Sequence, residues 1–175
     1  MLRTLLAAML LLVAPAAAQQ PGRTAPARPA MLGEFQSWTA ATHVESGQRV
    51  CYAFTRARSI DGVPGRRAEN VMLLVTHRTQ GRDQVAVRAG YSFPRNANTT
   101  LVIGATEHPL FTAQDTAFAR DGAATVAAMR AGREALSRGP GPNNRGTTAD
   151  VFSLMGFSAA HDAISRECPA GRPRR

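Results

Sequence analysis

The sequence predicts a mainly β domain with one or two short helices towards its C-terminus, and three observations carry that reading. From Phe35 onward the chain runs in short apolar stretches divided by turn residues. Val85, Val87, Ala89 and Tyr91 alternate with Gln84, Ala86, Arg88 and Gly90, which is the two-residue period of a half-buried strand. Helical spacing is confined to an alanine-rich stretch after Asp121 and to the last apolar segment, where Phe157, Ala160, Ile164 and Cys168 fall on one face.

Ahead of the domain stands an address. Arg3 is followed by nine apolar residues, Leu5 to Val13, and then by Ala16-Ala17-Ala18, a small-x-small cleavage pattern. That layout is a secretory signal peptide over residues 1–18. The apolar run is too short to cross a membrane, which takes about 20 residues. Gln19 and Gln20 stand where a lipoprotein would need a cysteine. Removal of the leader, Arg3 included, leaves 157 of 175 residues and lowers the formal charge from +9 to +8. No later run approaches 18 apolar residues, so no transmembrane segment is expected in the mature chain. Residues 19–33, with Pro21, Pro26, Pro29, Arg23 and Arg28, have little to bury and read as a tether. The domain is expected over 34–169, and 170–175 is a basic tail ending in Arg172, Arg174 and Arg175.

Within the domain, Trp38 is placed on a first strand and Val50 to Phe54 on a second. Arg56 to Arg67 reads as a loop punctuated by Asp61-Gly62 and Pro64-Gly65. Val71 to Thr76 is a central strand, and Gly81-Arg82-Asp83 its turn into the alternating strand. Leu101-Val102-Ile103 and Leu110-Phe111 supply two more strands around Gly104 to Pro109. Asp121 caps a helix from Ala123 to Ala131 that Gly132 stops. Glu134 to Ser137 and Val151 to Leu154 flank a loop from Gly139 to Thr148. A last helix is expected from Ser158 as N-cap, with Asp162 in its first turn. Trp38, Tyr52, Tyr91, Phe111, Phe152 and Phe157 are assigned to packing.

Export sets the redox environment. Two cysteines in one small exported domain are expected to pair, so Cys51 and Cys168, 117 positions apart, would tie the early sheet to the C-terminal helix. Loop closure of that length is worth about 4–5 kcal/mol as an upper figure. A redox-active pair would sit closer, as in C-x-x-C.

Catalytic signals are missing from the sequence. Two cysteines cannot build an all-Cys or three-Cys zinc site. His43, His77, His108 and His161 form no close ligand pair, so a metal centre would need a coincidence in space. No G-x-S-x-G elbow occurs. Gly141 to Thr148 resembles a phosphate loop, but Thr147 stands where the lysine belongs and Pro142 removes a backbone donor. No cofactor, metal or catalytic residue is expected.

All 21 basic residues are arginines, against 12 acids. Arg56, Arg58, Arg66 and Arg67 crowd one loop. Guanidinium forks suit phosphate, sulfate and carboxylate, so these four are the candidate contact for an anionic lipid or glycan. Aromatics make up only 6% and are not interleaved with the basic residues, which argues against dedicated nucleic-acid binding.

Several segments in order carry a resemblance: Val50-Cys51-Tyr52-Ala53, Val71 to Thr76, Ala89-Gly90-Tyr91-Ser92-Phe93, Leu110-Phe111-Thr112, Ala127 to Gly132, and Arg145 to Phe157, closed by Ala163-Ile164 and Cys168. From about Trp38 to Cys168 the chain resembles the invasion-associated locus B family of secreted Gram-negative proteins. The resemblance implies an immunoglobulin-like β-sandwich and a periplasmic or outer-envelope location, on the surface or beneath it. It implies no enzymatic activity, and a role in protein or surface contacts that extends to host-cell invasion in some bacteria. Cys51 and Cys168 match the family's cysteine pair. Pro140 and Pro142 make the Gly139 to Asn144 turn a departure from its pattern. The second functional expectation is a periplasmic binding or assembly module for an anionic envelope component such as lipopolysaccharide.

Overall fold

The computed structural model describes residues 29–170; the leader, most of the tether and the arginines of the tail lie outside them. Eleven strands and two helices follow in order: β1 (Ala30–Phe35), β2 (Trp38–Glu45), β3 (Gln48–Arg56), β4 (Ser59–Asp61), β5 (Met72–Arg78), β6 (Gly81–Arg88), β7 (Thr99–Ile103), β8 (Thr106–Ala113), β9 (Thr116–Ala119), α1 (Gly122–Ala131), β10 (Glu134–Pro140), β11 (Thr147–Ser153) and α2 (Phe157–Glu167). The mainly β class with two helices holds.

The strands form one antiparallel sheet in the order β1-β2-β3-β5-β6-β9-β8-β7-β10-β11-β4. In that order β3 lies near one edge and β4 is the opposite edge, yet only Ala57 and Arg58 join them. The sheet must therefore fold over on itself, so that the two faces of the sandwich are halves of one continuous ladder. The corner shows in the backbone: the Ala57 amide donates to Val71 (2.9 Å), and the Arg58 amide donates across to Val151 on β11 (2.8 Å).

The hairpins explain the registers. Glu45 faces Gln48 across β2 and β3, and the two residues between them, Ser46 and Gly47, both take positive φ, as a turn matching the strand twist requires. Arg78 faces Gly81, so the β5–β6 turn is Thr79-Gln80 rather than Gly81 to Asp83. The predicted Arg56 to Arg67 loop contains β4, and β9 forms where the sequence predicts no strand. The loop after β10 shrinks because the two strands extend to Pro140 and Thr147. β1 begins at Ala30, inside the stretch assigned to the tether, because pairing with β2 supplies partners that composition cannot show.

Between the halves lies a core of Leu73, Val75, Val87, Leu101, Phe152 and their neighbours, closed at one end by α2. Phe157, Ala160 and Ile164 are the buried face of α2, as their spacing required. Phe157 packs on Trp38 with ring centroids 4.8 Å apart, and the indole donates to the Ser153 carbonyl (2.9 Å). Burying each such side chain is worth about 1.5–3 kcal/mol. Phe111 corrects the packing assignment. It is 45% exposed, because His108 and Leu110 take the inward positions of β8 and the two-residue period sends the next residue out. Tyr52 and Tyr91 are half-buried.

Asp121 caps α1, accepting from the Ala124 amide at 2.9 Å, and Gly132 follows its end. The cap of α2 is Gly156 and not Ser158. At φ +91, with a Cβ that would stand 1.9 Å from the Phe35 carbonyl oxygen, this position excludes any larger residue. Asp162 accordingly lies in mid-helix. The Cys51–Cys168 disulfide is formed, with Cα atoms 6.0 Å apart; it ties the end of α2 to β3.

Candidate functional site

The four arginines singled out by sequence have separate surroundings. Arg56 lies over the Phe54 ring (5.7 Å). Arg58 reaches Glu134 at 3.5 Å and Arg67 reaches Glu69 at 2.9 Å, both on the surface. Arg66 is an internal residue with its side chain 3% exposed. Its guanidinium donates to Asp150 Oδ2 (2.6 Å), to the Ala89 carbonyl (3.0 Å) and to the Asp61 carbonyl (3.2 Å). It also lies over the Tyr91 ring at 5.2 Å, and the Tyr91 hydroxyl donates to the Pro140 carbonyl (2.8 Å). Arg66 is thereby withdrawn from any surface contact. Burial pushes the Asp150 carboxyl above its ordinary range, and the bond to Arg66 offsets only part of that. The pair is a buried clamp joining β11 to the chain after β4.

A second cluster was invisible in the sequence. His77 on β5, Asp83 on β6 and His161 on α2 bring their donor atoms within 4.8 Å of one another, and Ser165 Oγ lies 3.1 Å from His77 Nε2. Serine, histidine and aspartate in this sequence suggest a nucleophile, a base and an acid. The hydrogen bonds assign a different chemistry. The Asp83 amide donates to His77 Nδ1 (3.2 Å), so the neutral ring carries its proton on Nε2 and donates it to Ser165. Arg82 donates to the same hydroxyl (3.2 Å). The Asp83 carboxylate is 3.9 Å from His77 Nδ1, beyond hydrogen-bond reach. Burial, helped by nearby Arg82, holds His77 down at about 4. A base needs a free lone pair facing the serine, and this ring presents a proton.

His161 completes the network. A guanidinium can only donate, so Arg130, 2.7 Å from His161 Nδ1, leaves the proton on Nε2, which donates to Asp83 Oδ1 (2.7 Å). Both imidazole lone pairs are thus engaged by N–H donors. A cation bound here would displace two hydrogen bonds and sit beside Arg130. The arrangement fastens α1, α2 and the β5–β6 hairpin. Arg130 also pairs with Asp162, which holds that carboxyl below its usual range. No sequence signal foretold the cluster beyond His77 standing in register with the inward-facing Leu73 and Val75.

On the outer surface, Phe111 stacks on Phe118 with centroids 5.5 Å apart, and Arg120 lies over Phe111 at 5.9 Å. A cavity of about 360 Å³ adjoins them, reaching Arg82 and Asp83. A larger one, about 610 Å³, opens between the turn before β7 and the β10–β11 loop.

Comparison with known families matches residues 38–165 to the Invasion associated locus B (IalB) protein family. Among solved structures, the chain is similar to the crystal structure of invasion associated protein B from Bartonella henselae. That similarity has a TM-score of 0.53 at 16% sequence identity and covers 77% of this chain and 97% of that one; at such identity it speaks to the fold. No curated protein matches.

Proposed function

The chain belongs to the invasion associated locus B family, and from that premise we propose that it is an exported, non-enzymatic envelope protein that works through protein or surface contacts. In an organism that enters host cells, those contacts support invasion. The family match over 38–165 carries the reading. The leader pattern of residues 1–18 agrees with it, and so does a disulfide that suits an oxidising compartment. The proton on His77 Nε2, pointing at Ser165, supports a structural part for the one serine–histidine–aspartate grouping described. The alternative reading, a periplasmic module for an anionic component such as lipopolysaccharide, has less support at Arg56 to Arg67, because Arg66 is engaged internally and Arg58 and Arg67 face acids.

Location tests the proposal. Cells are fractionated, and intact cells are treated with protease while a periplasmic marker is followed. Recovery in the envelope fraction is the expected result, and digestion with the marker spared would put the contacts on the cell surface. Recovery of an unprocessed chain in the cytoplasm would overturn the reading.

A further inference from the structure

The cavity of about 610 Å³ at the β10–β11 end differs in chemistry from every arginine site above. Thr100 and Arg138 are opposed across β7 and β10, so their side chains share one face of the sheet. Thr147 from the start of β11 lies beside them, and Asn96, Asn98 and Asn144 come from the two turns that rim the opening. None of these six side chains makes a hydrogen bond or ion pair with another described residue, and no aspartate or glutamate lines the cavity. Arg138 is an exposed residue. By contrast, the cavity beside Arg88 is lined by Glu69 and Asp115, and Asp115 pairs with that arginine at 3.0 Å.

One unneutralised guanidinium, three carboxamides and two hydroxyls form a donor-rich surface with acceptors interspersed. The guanidinium matches a carboxylate with two parallel hydrogen bonds. Carboxamides each donate and accept, which suits adjacent sugar hydroxyls. The volume falls within the range of about 300–1,000 Å³ of small-ligand sites. We propose that this groove binds a carboxylate-bearing oligosaccharide, with Arg138 on the carboxylate and Asn96, Asn98 and Asn144 on ring hydroxyls. The inference concerns a site distinct from the Arg56 to Arg67 segment and is independent of which side of the outer membrane the domain faces.

The test is titration of the mature protein with a polyuronate tetrasaccharide, with cellotetraose as the neutral control and inorganic phosphate as the bare anion. Calorimetry measures affinity, and the side-chain amide signals of the asparagines in nitrogen-15 spectra report position. Expected are shifts at Asn96, Asn98 and Asn144, at least tenfold weaker binding in Arg138→Gln, and unchanged affinity in Arg56→Gln and Arg67→Gln. Cellotetraose and phosphate should each bind at least tenfold more weakly than the uronate. Absence of binding at millimolar saccharide would overturn the proposal. So would equal losses in all three arginine variants, or asparagine signals that stay still while binding occurs. The wild-type spectra decide the matter even if a variant folds poorly.

Discussion

Arg66, in the connection after β4, and Arg138, on β10, are the same residue type, and the molecule uses them in opposite ways. Arg66 is enclosed, with each nitrogen of its guanidinium donating to Asp150 or a carbonyl. Arg138 stands on the outer face among uncharged amides and hydroxyls. The crowded loop at Arg56 to Arg67 advertised a binding site, but three of its four arginines have acids opposite. Arginine density along a sequence therefore measures supply, whereas availability depends on which acids the fold brings near.

The largest expected effect comes from breaking the enclosed side of this contrast. Arg66→Met leaves the Asp150 carboxylate buried without its partner, and Asp150 Oδ1 already lacks a hydrogen bond among the described residues. Such a change costs about 3–5 kcal/mol, read as a lower denaturant midpoint. Adding Asp150→Leu should recover most of the loss, because a buried pair replaced by apolar groups is often close to neutral. Next is the staple at the opposite end. Replacing Cys51 and Cys168 together by serine should lower stability by about 2–5 kcal/mol in chemical denaturation.

A third effect is tied to pH. His77 is held at about 4, against an ordinary 6.5. Between those values the unfolded chain binds a proton that the folded chain refuses, so stability is full above pH 6.5 and declines as pH falls towards 4. The decline amounts to something on the order of 3 kcal/mol. Denaturant titrations across that window should show it, and His77→Gln should flatten the slope. The smallest effect sharpens the contrast from the other side: Arg138→Gln should change stability by less than about 0.5 kcal/mol, as for an unpartnered surface residue.

The sequence was most legible where local pattern and tertiary outcome coincide. Val85 and Val87 share the face of β6 that joins the core, Asp121 caps α1 through an amide three residues on, and the two cysteines had only each other. It was least legible where an element owes its existence to a distant partner. β4 has three residues and β9 four, too short to show a period, and each is defined by the strand it joins. The clamp pairs Arg66 with an acid 84 positions away, and the histidine network links β5 to α2 across a comparable distance. Leu110-Phe111 shows a subtler limit: two adjacent apolar residues on a strand cannot both face inward, and only the fold decides that the leucine does.

Side-chain hydrogen exchange tests the central contrast most directly. The arginine Nε–H of Arg66 donates to the Ala89 carbonyl, while Arg138 is exposed and makes no side-chain hydrogen bond to a described residue. In nitrogen-15 spectra the account predicts a slowly exchanging, shifted Nε–H signal for Arg66 that is lost in Arg66→Met, and a fast-exchanging one for Arg138. Equal, rapid exchange at both would mean that Arg66 is as available as Arg138, and would contradict the account.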